Sequence, residues 1–425
     1  MRILHVTTEF PPVIYGGLGT AVGGLVNASA ESGNLTVAVL LVGGTLRFGD
    51  GVTYGSAGGC VPPRAGGIEP VSVENGVTFF QISPSQPVED AVRIARAWHP
   101  DVLHLHTAWV WPFAEAIIEQ VGVPLVYTIH SVDRAEYEIG HEPNHILAHS
   151  HDQEIAIARA VRMIALTENE SDLVAQYYPE ACSRIRIVGN GIEECALARS
   201  KADSCVVKTN PVVLYTGRLV ERKGIRELLA AIPLVLERAP RTQFVLAGGP
   251  PYTDPDELAR TWLPAECYAY RDNIRFTGWL SPSGVAEWYR RADIQVVPSR
   301  YEPFGMVVLE GMLHGLPIVA ANVGGPARIL KHEVTGLLYA AHDVEMLAAH
   351  ITALALNPER RKCLGAAAAT DVRNHWLWPA IIKKMACVYS EALQGKKARR
   401  SLPVSTTSGS EGPFRVALSS IHATV

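Results

Sequence analysis

Two glutamates separated by seven residues stand in SRYEPFGMVVLEGMLHGLPIVAA, residues 299–321. Glu302 precedes Pro303, and Glu310 lies among Val307, Val308, Leu309, Met312 and Leu313. A carboxylate with such neighbours reads as buried, and burial is costly unless hydrogen-bond donors hold the charge. Sugar hydroxyls are such donors. DIQVVPS reads as a strand, RYEPFG as a loop, and MVVLEGMLH as a helix that ends at Gly315 before Pro317. Glu302 then falls at the carboxyl end of a strand, and Glu310 about two turns into a helix. Phe304, Gly305 and Met306 would present backbone N–H groups at that helix start. A glutamate bonded only to local backbone is the alternative, and two carboxylates coinciding with a P-F-G turn disfavour it.

Three further places could carry chemistry. In VVLYTGRLVERKG, Arg218 and Lys223 follow a strand and open a helix, where two cations and a helix dipole can clamp a diphosphate. With Glu221 and Arg222 between them, two solvated charges remain the alternative. In EFPPVIYGGLGTAVGG, Gly16, Gly17 and Gly19 would let backbone approach a ligand at the amino end of a helix. Their spacing departs from G-x-G-x-x-G, so packing and binding both stay open. His130 ends the strand PLVYTIH at cleft height and is a candidate, although a lone histidine after a strand is more often structural. His141, His145, His149 and His151 fall on one helix, but no cysteine or compact carboxylate set completes a metal site there, so a solvated face is expected.

The elements that must position these residues alternate. RILHVTT, LTVAVLLV, VTFFQIS, DVLHLHT, PLVYTIHS, RMIALT and RIRIVGN are short apolar runs suited to strands buried on both faces. TAVGGLVNASAESG, with Gly33 as its cap, and VEDAVRIARAWH, closing before Pro100, are helices between them. After an aperiodic stretch at 192–210 the pattern resumes with VVLYTGRL, IRELLAAIPLVLERAP, TQFVLAGG, NIRFTGW, DIQVVPS and LPIVAAN. This predicts two doubly wound α/β halves whose strand-end loops share a cleft. Residues 43–70 read as a Gly/Pro-rich excursion, WLWPAIIKKMACVYSEAL as a final packed helix, and residues 396–425 as a mobile tail.

Composition narrows the function classes. Across 425 residues, 48% hydrophobic and 19% charged content describe a globular chain long enough for two domains. A net charge of −4 argues against a sequence-independent grip on nucleic acid. No run approaches the roughly 18–20 apolar residues that span a bilayer, and the amino terminus turns polar too early for a signal peptide. A cytoplasmic protein with reduced thiols is expected; peripheral membrane contact stays open. The seven cysteines form no C-x-x-C.

Taken together, GRLVERKG and, some eighty residues on, PSRYEPFGMVVLEGMLHGLPIVAANVGGPARIL resemble the retaining glycosyltransferases of family 4, which have the GT-B fold. The resemblance covers residues 1 to about 390, and TTEFPPVIYGGLGTAVGGL looks like the glycogen and starch synthase branch. It implies an α/β GT-B protein of two Rossmann-like domains facing a central cleft: an acceptor-side domain over 1–195, a nucleotide-sugar domain over 196–380, a helix over 381–395 and the tail. By the same resemblance, Arg218 and Lys223 hold the donor diphosphate, Glu310 the ribose, and Glu302 lies by the donor sugar. Gly16 and Gly17 belong to the loop near the phosphates, His130 contacts the donor sugar, and Phe304, Gly305 and Met306 add donor contacts. One departure is the absence of the lysine that glycogen synthases carry before the glycine turn, in K-T-G-G-L. The implied partners are a nucleotide-diphosphate sugar, of UDP- or ADP-glucose type, and a small-molecule or glycan acceptor. No cofactor and no metal are expected. A nucleotide-sugar epimerase, a disaccharide phosphorylase and a non-catalytic nucleotide-sugar binder are the alternatives.

Overall fold

The computed structural model describes every residue except 12, 13, 15, 44, 48–52, 56–69, 84, 140–146, 148, 195–209, 251, 252 and 401–425. Two sheets organise the chain. The first is built from β1 (Arg2–Thr7), β2 (Thr36–Val42), β5 (Ser72–Glu74), β6 (Val77–Ile82), β7 (Val102–Leu105), β8 (Leu125–Ile129), β9 (Arg162–Ala165) and β10 (Ile185–Ile187), while β3 (Thr45–Arg47) and β4 (Thr53–Gly55) form a separate antiparallel pair. Its spatial order is β10-β9-β8-β7-β1-β2-β6-β5, parallel throughout except at β5. The second sheet contains β11 (Val212–Thr216), β12 (Gln243–Ala247), β13 (Ile274–Gly278), β14 (Ile294–Val297), β15 (Ile318–Ala321) and β16 (Leu337–Tyr339), in the parallel order β13-β12-β11-β14-β15-β16.

Both orders reverse direction once. In the first sheet the chain runs outward from β1 to β2 and later returns to place β7 on the other side of β1. In the second it runs from β11 through β13 and returns with β14 beside β11. Ligands of open parallel sheets bind at the carboxyl ends of strands flanking such a reversal. The loops concerned carry the glycine turn, His106, Arg218 with Lys223, and Glu302. The predicted doubly wound α/β halves are therefore present, with the glycine turn, Arg218, Lys223 and Glu302 on loops that the topology selects. Glu310 lies on the helix that follows one of them, and His130 after the neighbouring β8.

The apolar runs behave as a buried parallel sheet requires: Ile3, Leu4, Val37 to Leu41, Val102, Leu103 and Leu105 are shielded on both faces. One face of the first sheet is covered by the helices Gly17–Glu31 and Trp378–Arg400, which meet over Val22, Val26, Ile381, Met385 and Tyr389. The final helix thus returns to pack on the first sheet. It continues to Arg400, five residues beyond the expected end, and the rest of the expected tail lies outside the described residues. The stretch read as a linker begins in contact: Ile192 bridges Leu377, and Trp378 leaves no room for a side chain at Gly191.

Further contacts cross between the two halves at the cleft floor. The Tyr301 hydroxyl accepts from the Val132 backbone N–H at 3.2 Å and donates to Glu170 at 2.8 Å. Thr167 donates to the Pro303 carbonyl, and Arg222 pairs with Glu136 at 3.3 Å. Glu170 is fully buried, and burial raises its carboxyl to about 7, against hydrogen bonds from Tyr301 and Asn169. An unfolded glutamate titrates near about 4.3, so between the two values the folded chain holds the extra proton and this group's contribution to stability falls as pH rises. Glu170→Gln, which keeps an acceptor for Tyr301 but cannot ionise, should remove that slope. Urea melts at pH 5 and pH 8 should show wild type losing on the order of 2–3 kcal/mol more than the variant; an equal or smaller loss would refute the protonated interface.

Candidate active site

The site is assembled where β11 and β14 end. β11 runs into Gly217, Arg218 and a short helical turn, Glu221–Lys223, closed by Gly224 in the left-handed region. Any side chain at Gly224 would strike the Pro298 carbonyl, so glycine lets this turn press against the loop after β14. That contact places Lys223 beside Glu302. The Lys223 Nζ donates to Glu302 Oε2 at 2.5 Å, and Ser299 donates to the same oxygen at 3.2 Å. Glu302 is buried and Lys223 nearly so, with side-chain exposures of 9% and 17%. Burial works to raise the Glu302 carboxyl, but Lys223 and Arg222 together bring it below its usual value, so it is held as a carboxylate. For Lys223, burial pulls downward while Glu302 pulls back up.

The backbone around Glu302 is clamped from behind. Gly325 N donates to the Glu302 carbonyl at 2.9 Å, and Gly324 and Gly325 leave no space for a Cβ against the carbonyls of Glu302 and Phe304. Phe304 and Met306 are buried, and Gly305, in the left-handed region, caps the helix Met306–Leu313. The amino end of that helix meets the glycine turn from the other half: the Met306 side chain lies 3.8 Å from where a Cβ on Gly17 would stand. Gly17 is exposed, and Gly16 has extended backbone and open space around it. Arg218 is exposed at the cleft edge, with its carbonyl fixed by the Tyr215 hydroxyl at 2.6 Å.

Glu310 differs from its expected setting. It is only half-buried, because one flank of its helix faces the cleft. Its Oε2 accepts from the buried Tyr289 hydroxyl at 2.8 Å, and Tyr289 in turn meets Thr216 at 2.9 Å. Burial raises the Glu310 carboxyl and the Tyr289 bond opposes that rise. A fixed carboxylate with one oxygen committed and a surface still open can accept from a ligand hydroxyl.

His130, at the carboxyl end of β8, is partly exposed and bonded through Nε2 to Nδ1 of His106 at 3.3 Å. Of the four histidines expected on one helix, His141 and His145 lie outside the described residues. His149 and His151 are surface groups 3.7 Å from Asp152 and Glu154. Among the described residues one trio of metal-ligating side chains does converge: His5, His104 and His106, all buried. Both nitrogens of His104 are engaged, by Tyr389 and Thr128, and His5 and His106 bond one another. The Asp-x-Asp sequence at Asp254–Asp256 is a helix cap, its Asp254 Oδ1 accepting from the backbone N–H of Asp256 and Glu257.

Sequence reasoning missed Arg222, Tyr289, Tyr301, His5 and His106. The first three touch the site only through folding. The signal for His106 was visible, since His104 and His106 stand two residues apart at the end of an extended run and so share a face.

Two Rossmann-like sheets, with a cation–carboxylate pair on one side of the cleft and a glycine turn on the other, define the class of glycosyltransferases with the GT-B fold. The comparisons agree. Residues 15–194 match the model described as Glycosyltransferase Family 4, and residues 199–371 that of Glycosyl transferases group 1. Glycogen synthase of Mycobacterium tuberculosis is 29% identical over 93% of this chain and 96% of its own. The D-inositol 3-phosphate glycosyltransferase of Thermomonospora curvata is 30% identical over 69% and 72%. Anabaena HepE, solved with UDP-glucose, superposes with a TM-score of 0.70 at 18% identity, covering 92% of this chain and 99% of that one. This chain belongs to the GT-B glycosyltransferases of family 4, related to glycogen synthase.

Lys223→Met should leave the buried Glu302 carboxylate with only the Arg222 charge and the Ser299 hydroxyl to hold it. Breaking a buried pair costs about 3–5 kcal/mol, and the residual exposure of Lys223 reduces this to about 2 kcal/mol. Chemical denaturation near pH 7 checks the figure; a variant as stable as wild type would mean the pair is not desolvated.

Proposed function

We propose that this chain is a retaining hexosyltransferase that moves a hexose from a nucleotide-diphosphate sugar, of UDP- or ADP-glucose type, to an acceptor hydroxyl. The observation that carries the proposal is the buried Lys223–Glu302 pair opposite the glycine turn, at the reversal points of both sheets. Arg218 and Lys223 hold the diphosphate, the Met306 helix start adds backbone donors, and Glu310 accepts from the ribose. His130 and Glu302 border the sugar.

In the reaction, the bond from the sugar's anomeric carbon to the phosphate oxygen breaks, and the nucleoside diphosphate leaves. The acceptor oxygen bonds to that carbon from the same face, and its proton passes to the departing phosphate oxygen, which keeps the α configuration. Glu302 stabilises positive charge building on the sugar, and the cations stabilise negative charge on the leaving group. These cations take the part that a divalent ion plays in other transferases, and the Asp-x-Asp sequence is already used as a helix cap. The acceptor belongs to the first domain.

Release of nucleoside diphosphate that requires an acceptor tests the reading, and separates it from an epimerase or a binder. EDTA should leave the rate unchanged; abolition by EDTA with rescue by manganese would overturn metal independence. Arg218→Ala should lower kcat on the order of 10²- to 10³-fold, because the guanidinium meets charge that develops on the leaving group. Unchanged turnover with only a raised donor KM would contradict that role. Glu310→Gln should raise donor KM more than it lowers kcat, and Glu302→Gln the reverse, since the ribose contact is alike in ground and transition states. Initial rates on both variants decide it, and a covalent sugar on Glu302 would sink the one-face mechanism.

A further inference from the structure

Beneath His130 lies a row of imidazoles that the reaction as proposed does not use. His5 on β1, His106 just past β7 and His130 just past β8 project from the same face of the first sheet, under the helices Gly17–Glu31 and Trp378–Arg400. His5 Nδ1 lies 3.0 Å from His106 Nε2, and His106 Nδ1 lies 3.3 Å from His130 Nε2. His5 and His106 are buried, and only His130 reaches the cleft. The inner end, His5 Nε2, is buried with no hydrogen-bond partner.

That orphan sets the direction of the row. Each neutral imidazole has one N–H and one lone pair, so donation must run the same way through both bonds. If it ran inward, from His130 to His106 to His5, the row would end in a buried N–H with no acceptor. If it runs outward, it ends in a buried bare lone pair. Orphaned buried N–H groups are the rarer and costlier of the two. Outward donation gives His5 Nδ1–H to His106 Nε2, then His106 Nδ1–H to His130 Nε2. His130 is left with its proton on Nδ1, the nitrogen not engaged with His106.

We propose that His5 and His106 are positioning residues that fix His130 as the neutral Nδ1–H tautomer, so that it donates a hydrogen bond to an oxygen of the donor sugar. The role in transfer rests on the glycosyltransferase reading above; the tautomer does not. Burial supports the neutral row: it lowers His5 to about 3 and His130 to about 4, and holds His106 well below its usual range, with His104, His5 and His130 adding to the drop for His106. His104 stands beside the row and is spent on Tyr389 and Thr128, which keeps its ring out of the series.

Proton–nitrogen correlation spectra of histidine-labelled protein at pH 7.5 read the tautomer directly, with the His130 signals assigned by their loss in His130→Gln. The expected result is a protonated Nδ1 and a bare Nε2 on His130; the opposite tautomer overturns the proposal. His106→Leu should lower kcat roughly 10- to 100-fold, because the reacting geometry loosens, while nucleoside diphosphate affinity stays within about twofold. His106→Gln can accept from His5 and donate to His130, and should recover most of that loss. A leucine variant with wild-type kcat, or a glutamine variant no better than leucine, contradicts positioning. If wild type transfers no sugar to any acceptor, the functional reading fails while the spectrum still decides the tautomer.

Discussion

The structure depends on keeping a charged pair out of water at the floor of a cleft. Lys223 and Glu302 lie on the connections that follow different strands of one sheet, and neither would be tolerated alone at this depth. Everything around them serves that contact. Gly224 lets the Lys223 turn lie against the β14 loop, and Gly324 and Gly325 seat the Glu302 backbone. Arg222 supplies a second cation, itself paired to Glu136 across the cleft. The same desolvation that makes the pair expensive strengthens its field, which suits a site where charge separates during reaction.

Burial also orders protons elsewhere in the cleft floor. Glu170 and Asp133 are pushed up to about 7, while the histidine row is pushed down. The buried histidines are held neutral and so present a defined donor and acceptor, whereas Glu170 and Asp133 gain and lose a proton near neutrality. The Val132 backbone N–H can only donate, so the Tyr301 hydroxyl accepts from it and turns its own proton to Glu170.

Much of the fold was legible in the sequence. The apolar strand runs, the glycine punctuation and the helix after RYEPFG all appear where periodicity and turn chemistry place them, because these are local properties. The Glu302–Glu310 spacing and the Arg218–Lys223 pair were likewise readable on strand-end loops. What was not readable depends on distant partners. Nothing local to Lys223 says that its charge is held by Glu302. The half-exposure of Glu310 follows from how its helix meets the cleft, not from its apolar neighbours. The short strands β5 and β16 carry too few residues for a pattern. The return of the final helix to the first sheet rests on contacts between residues far apart in the chain, among them Ile381 and Met385 with Val22 and Val26, and Tyr389 with His104.

The central claim is that the Lys223–Glu302 pair marks where the donor's diphosphate and sugar meet. A crystal structure with an intact nucleotide-diphosphate sugar tests it most directly. The account predicts diphosphate oxygens within hydrogen-bond reach of Arg218 and Lys223, a ribose hydroxyl on Glu310 and the hexose between Glu302 and His130. A nucleotide bound elsewhere, with Lys223 still committed to Glu302 alone, would contradict it.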